Sequence, residues 1–261
     1  MQTMLETFLA GGVLAFMLTF TRVGTALMLM PGLGDTFIPQ RVRLLLALGI
    51  SFVLFPMLYK YMPAQTPATF QLIMLVISEA IIGLMIGTVA RIFMVALDTA
   101  GMVISMQSGL ANAQVFNPSL ASQGSIIGAF LTVTGMVVLF SLNLHHMLIM
   151  GVVESYQMFP FGLMTDTGSM AELISQSVNA SFKIGVKLAM PFMVMTLLIY
   201  VGMGVLSRLM PQIQVFMIVL PLQIWLSVLL IGITLMALFS NWAQDFENAI
   251  FFFFSNGSSL N

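Results

Sequence analysis

Cysteine is absent from the 261 residues, which excludes disulfides and any metal or redox site built on thiolates. Charge is scarce as well: eight basic and nine acidic residues make up 7% of the chain, against about 25% in an average globular domain. So few charges cannot cover the surface of a soluble domain of this size. The net charge of −1 leaves no basic face, so nucleic acid is not expected as a partner. There is no phosphate loop and no dinucleotide fingerprint, and no cofactor is expected. The hydrophobic share, 59%, is far too high for a disordered chain. What remains is a protein whose surface faces lipid or other protein.

Methionine is the abundant exception, at 25 residues. It is flexible and polarizable and is over-used where a surface adapts to varied partners. The plainer reading is apolar filler in a membrane protein.

Six apolar stretches, each near or above the ~20 residues needed to cross hydrocarbon, predict helices at about 8–30, 44–59, 70–106, 125–157, 172–209 and 213–253. Backbone exposed to lipid must satisfy its own hydrogen bonds, and nothing alternates polar and apolar as a barrel strand would. The expected fold is therefore all-α and membrane-associated, one domain of about six long, kinked helices paired as hairpins, the fifth containing Pro191 and the sixth Pro221. The first residues carry Glu6 and no Lys or Arg, unlike the positive start of a cleaved signal, so the first apolar run is expected to stay in the protein. Orientation is weakly marked. Arg41, Arg43, Arg208 and Arg91 would fall on one side and Lys60, Lys183 and Lys187 on the other, a slight bias for a multi-spanning protein. Some apolar stretches are thus expected to sit outside lipid.

One internal stretch is polar yet uncharged: Gln107–Gly124, QSGLANAQVFNPSLASQG. A water-facing loop would normally include charge, and a lipid-facing one could not expose so many amides and hydroxyls. Its composition fits a segment held inside protein or in a polar cavity, where irregular backbone is tolerated. A surface loop that happens to lack charge is the plainer alternative.

Charges inside the apolar stretches are costly and usually face partners or cavities. Arg22, Glu79 and Arg91 are such charges. Arg91 and Asp98 lie seven apart, on one helix face but about two turns from each other, so each is expected to meet a group on another helix or subunit. Gly83-x-x-x-Gly87 offers a second helix a close approach. Lys183 and Lys187 lie one turn apart with no acid on their face, which suggests an acidic partner or snorkelling to the interface. His145 and His146 point about 100° apart on a helix and cannot share a metal from one face, so a hydrogen-bonded core role is expected for His145 and no metal site for the chain. Gly32-Leu33-Gly34-Asp35 matches the G-x-G-D string of intramembrane aspartyl proteases. That chemistry needs a second carboxylate sharing a proton; Asp98 is the one candidate, and Asp35 precedes Pro39 in a turn.

Several strings together resemble the FliR family of the flagellar and type III secretion export gate. They are Arg22-Val23-Gly24, Met30-Pro31-Gly32-Leu33-Gly34, Ile38-Pro39-Gln40-Arg41-Val42-Arg43, Asp98-Thr99-Ala100-Gly101, Gln107-Ser108-Gly109-Leu110, Phe116-Asn117-Pro118 and Leu142-Asn143-Leu144-His145. Beyond them come Glu154-Ser155-Tyr156, Phe159-Pro160-Phe161-Gly162 and, most specific, Met210-Pro211-Gln212 with Val215-Phe216 and Leu220-Pro221-Leu222. Order and spacing hold from about residue 10 to 240. The chain departs in carrying Leu144 where members often have Gly before the His, and Asn117 rather than Asp before Pro118.

The resemblance implies a non-enzymatic subunit of a protein-export gate. One copy would assemble with FliP-like and FliQ-like subunits in a spiral of helical hairpins and contact FlhB-like and FlhA-like components. Membrane lipid would surround part of the assembly, in the bacterial inner membrane at the flagellar basal body, and unfolded protein substrates would pass through it. The segment 107–123, between the third and fourth helices, would plug the closed pore through Gln107, Leu110, Asn112, Gln114, Phe116, Asn117 and Pro118, with Met102 and Met106 as gating methionines. Arg22, Glu79, Arg91, Asp98, His145, Lys183, Lys187 and Arg208 would make contacts between helices or subunits. Pro211, Gln212, Phe216 and Pro221 carry the family motif. Two other readings stay open: a small-solute secondary transporter with helices broken at Pro191 and Pro221, and the aspartyl protease using Asp35.

Overall fold

The structure, a computed structural model, describes residues 2–59, 68–111, 125–161, 167–210, 212 and 214–256. Seven α-helices and no strand are found among them: α1 Gln2–Leu29, α2 Gln40–Leu58, α3 Thr69–Gln107, α4 Ile126–Ser141, α5 Leu144–Met158, α6 Thr167–Leu209 and α7 Val215–Asn256. Five are long and apolar enough to cross a membrane (α1, α2, α3, α6 and α7), and α4 with α5 makes a sixth if counted as one bent span. The chain is an all-α membrane protein.

The helix expected over 125–157 is two helices. The break falls in Ser141-Leu142-Asn143-Leu144-His145-His146, where four of six residues are polar, a dip in hydropathy too short to separate two helices when the flanking runs are read together. Asn143 adopts a left-handed conformation, φ 58°, which Asn tolerates better than most residues, and its carbonyl accepts from His146 N at 3.0 Å. Leu144, the departure from the family pattern, enters the first turn of α5 and is buried. The strained backbone falls one residue before it.

Two compact units divide the chain: residues 1–92 with 143–178 and 248–261, and residues 93–142 with 179–247. In the first, α1 and α2 form an antiparallel hairpin, Gly24 meeting Ala47 near the turn and Gly11 meeting Tyr59 at the far end. Phe16 stands 6.4 Å from Phe52 and 6.0 Å from Phe55, edge to face, a favourable ring geometry. A cleft of about 630 Å³ remains beside these rings, lined also by Val13, Pro56 and Tyr59; with no charge or amide on its wall it offers nothing to orient a polar solute. The Gly83/Gly87 stripe does admit a neighbour. Gly83 lies against Arg22 and Thr25, and Gly87 against Ala26 and Leu29, so α1 packs backbone-close on α3.

In the second unit Trp242 and Phe246, both fully buried, centre a cluster with Phe93, and the Trp242 indole N–H donates to Phe93 O at 3.4 Å. Gly101 of α3 and Gly128 of α4 cross with their backbones touching. α6 runs unbroken through Pro191 and α7 through Pro221. The broken helices that would mark a transporter's substrate site are therefore not found at these prolines.

Candidate functional site

Two constellations hold most of the polar chemistry in the apolar helices. The first is built on Arg22 of α1, which has no exposed surface. Its Nε donates to Glu79 Oε2 at 2.6 Å and its Nη2 to Glu79 Oε1 at 2.9 Å, a two-pronged pair with an equally buried carboxylate on α3. Nη1 donates to Ser155 Oγ at 3.2 Å and Nη2 also to Phe159 O at 2.9 Å. The guanidinium lies 3.9 Å from the Tyr156 ring centroid and 5.5 Å from that of Phe161, a cation–π arrangement. A buried ion pair holds together only when its remaining donors are satisfied. Here Ser155 and Phe159 satisfy them, so one Arg braces α1, α3, α5 and the turn after α5. Arg22 and Glu79 thus find their partners in each other.

The second constellation frames the uncharged segment. α3 ends at Gln107, and Gly109 follows with φ 77°, the left-handed glycine that commonly closes a helix. The last carbonyls of a helix lack intrahelical partners. That of Gln107 accepts from Thr196 Oγ1 of α6 at 2.9 Å and from Gln223 Nε2 of α7. At the other end Ser125 caps α4, its hydroxyl accepting from Gly128 N and donating to Gly101 O, each at 3.0 Å. Gly101 lies six residues before Gln107, about 9 Å along α3, so the two ends of the stretch are fastened within about two turns of one helix. Met102 and Met106, one turn apart, are 48% and 66% exposed on that end of α3. Leu110 is half-buried. Asn112, Gln114, Phe116, Asn117 and Pro118 lie outside the described residues.

The other expected residues are dispersed. Arg91, half-exposed, pairs at 3.7 Å with Asp35 of the α1–α2 turn, and Asp35 Oδ2 accepts from Gly32 N at 2.8 Å. The contacts of this carboxylate are a guanidinium and a backbone amide, not the second acid an aspartyl protease requires. Asp98 packs on Gly128, where a methyl group would fall 2.5 Å from its Oδ1. Lys187 bonds Asp245 of α7 at 2.9 and 3.2 Å, while Lys183 is exposed. The acid for Lys187 was not visible on its own helix because it lies on another. His145 is half-buried, its ring 4.2 Å from that of His146, and no group of three potential metal ligands occurs among the described residues. Arg208 and Gln212 are exposed at the α6–α7 turn; Pro211 and the Phe216 side chain lie outside the description.

Thr196, Gln223, Ser155 and Tyr156 complete the two constellations, and Asp245 the Lys187 pair, without having been singled out for them. A search for charges passes over Thr196 and Gln223. Their signal is a neutral polar group in an apolar helix, which must find a partner when buried.

Residues 13–249 match the family described as Bacterial export proteins, family 1. The chain belongs to this family, the FliR family of type III export components. A relative named Flagellar biosynthetic protein FliR, from Caulobacter vibrioides, is 37% identical, the match covering 89% of this chain and 93% of the relative. One of the same name from Aquifex aeolicus is 30% identical over 94% and 96%. The Yop proteins translocation protein T of Yersinia pestis is 31% identical over 66% and 67%. FliR-family membership covers both constellations and both stems of the uncharged segment.

Proposed function

We propose that this chain is a non-enzymatic subunit of the flagellar type III protein export gate. One copy joins FliP-like and FliQ-like subunits, beside FlhB-like and FlhA-like components in the inner membrane, to form part of the pore for unfolded flagellar substrates. Residues 107–123 act as the plug of the closed pore, and the Met102 and Met106 side chains re-form contacts around varied substrate sequences. The flagellar assignment follows the names of the relatives at 37% and 30% identity.

One observation carries the plug reading. An uncharged stretch has both its ends fastened inside one unit, at Gln107 through α6 and α7 and at Ser125 through α3. Fastened ends let the chain between them be displaced without unpacking the helices.

Helix length supports assembly with other subunits. α6 and α7, at 43 and 42 residues, are about 60 Å long, twice the ~30 Å of hydrocarbon. Their surface carries Leu198 at 67%, Val201 at 60%, Met217 at 71% and Met236 at 87% exposure. Lipid cannot cover such helices throughout, so other proteins cover the rest. Deleting Leu110–Ser119 from the assembled apparatus should raise ion leakage across the membrane; unchanged leakage would overturn the plug.

A further inference from the structure

The uncharged segment departs from α3 at a point set by two side chains with no other evident role. Thr196 and Gln223 are each 2% exposed, in helices whose other buried groups are mostly apolar. Hydroxyls buried in a helix commonly bond the carbonyl four residues back. Thr25, Ser51, Ser177 and Thr234 do so here. Thr196 does not: its one hydroxyl proton goes across to Gln107 O, 89 residues away. The Gln223 amide reaches the same oxygen from α7. Ordinarily the carbonyl at a helix end is satisfied by the next residues of its own chain or by water. Here it is taken by two helices at once.

We propose that Thr196 and Gln223 are positioning residues for the plug. By capping the Gln107 carbonyl they end α3 at that residue and hold the turn Ser108–Ala111, from which the plug starts, against α6 and α7. This rests on the reading of 107–123 as the plug. The turn keeps its own bonds, Ser108 N to Ile104 O at 2.8 Å and Ala111 N to Ser105 O at 3.1 Å. Those amides report whether the cap is in place.

The test is Thr196→Val combined with Gln223→Met, near-isosteric changes that remove both donors from the full chain within the assembled complex. Two neutral hydrogen bonds lost should speed amide exchange across Ser108–Ala111 by about tenfold or more and raise ion leakage, while particle mass stays normal. Thr196→Ser, which keeps the hydroxyl, should restore both readings when Gln223 is intact. Normal exchange and normal leakage in the paired variant, with the Leu110–Ser119 deletion leaking, would overturn the positioning role and leave the plug standing. A deletion that does not leak removes the plug and this role with it. Should the paired variant fail to assemble, Thr196→Val alone gives the same readings.

Discussion

Replacing Glu79 with Gln would leave a guanidinium buried against a neutral amide, and the cost of such a change separates the ion pairs of this chain. Arg22 and Glu79 have no exposed side-chain surface, and removing one partner of a buried pair destabilises by about 3–5 kcal/mol. In the Lys187–Asp245 pair the side chains are 58% and 24% exposed, and pairs open to solvent contribute about 0–1 kcal/mol. Glu79→Gln should therefore lower the thermal midpoint of the purified complex clearly, with Lys187→Met close to unchanged. Equal midpoints for the two variants would show that the Arg22 brace is not a main stabiliser. None of these pairings was readable along the chain. Arg22 reaches residues 57, 133 and 137 positions away, and which charge meets which depends on how each helix is rotated about its axis.

Among the elements, α3 and α4 depend on the crossing at Gly101 and Gly128, where backbones meet without side chains between them. Gly101→Val has no flexible neighbour to displace and should part the two helices, at roughly 1–3 kcal/mol or more, with loss of recovered complex. Gly49→Val in α2 meets nothing within 4 Å and should be recovered normally. Equal recovery of the two would refute the close crossing. Apolar run length located the helices to within a few residues, because burial from water is summed along a run. It missed the division of α4 from α5: Ser141, Asn143, His145 and His146 do interrupt the apolar run, but so short a dip fixes no helix end, which the left-handed Asn143 supplies. It also left α1 starting too late: Gln2–Leu29 begins before the apolar run, because a helix continues through polar residues once nucleated.

For the whole molecule, apolar side chains exposed along helices longer than a bilayer is thick call for protein partners. Gentle detergent extraction should yield a large particle holding one copy of this chain, measured as native mass; a free monomer or dimer would overturn the gate assembly. Composition was enough to exclude a soluble enzyme, since 7% charge cannot keep such a surface in water. It left open how that surface divides between lipid and protein partners, because hydropathy does not distinguish the two.

By itself the sequence determined the all-α membrane class, the approximate helices and, through its spaced strings, the family. These follow from quantities that add along the chain or repeat within it. Tertiary structure decided that Arg22 and Glu79 satisfy each other, that Asp245 answers Lys187, and that Thr196 and Gln223 hold the end of α3. Those outcomes depend on three-dimensional direction: a buried polar group must have a partner, but only the packing of helix on helix selects which one it finds.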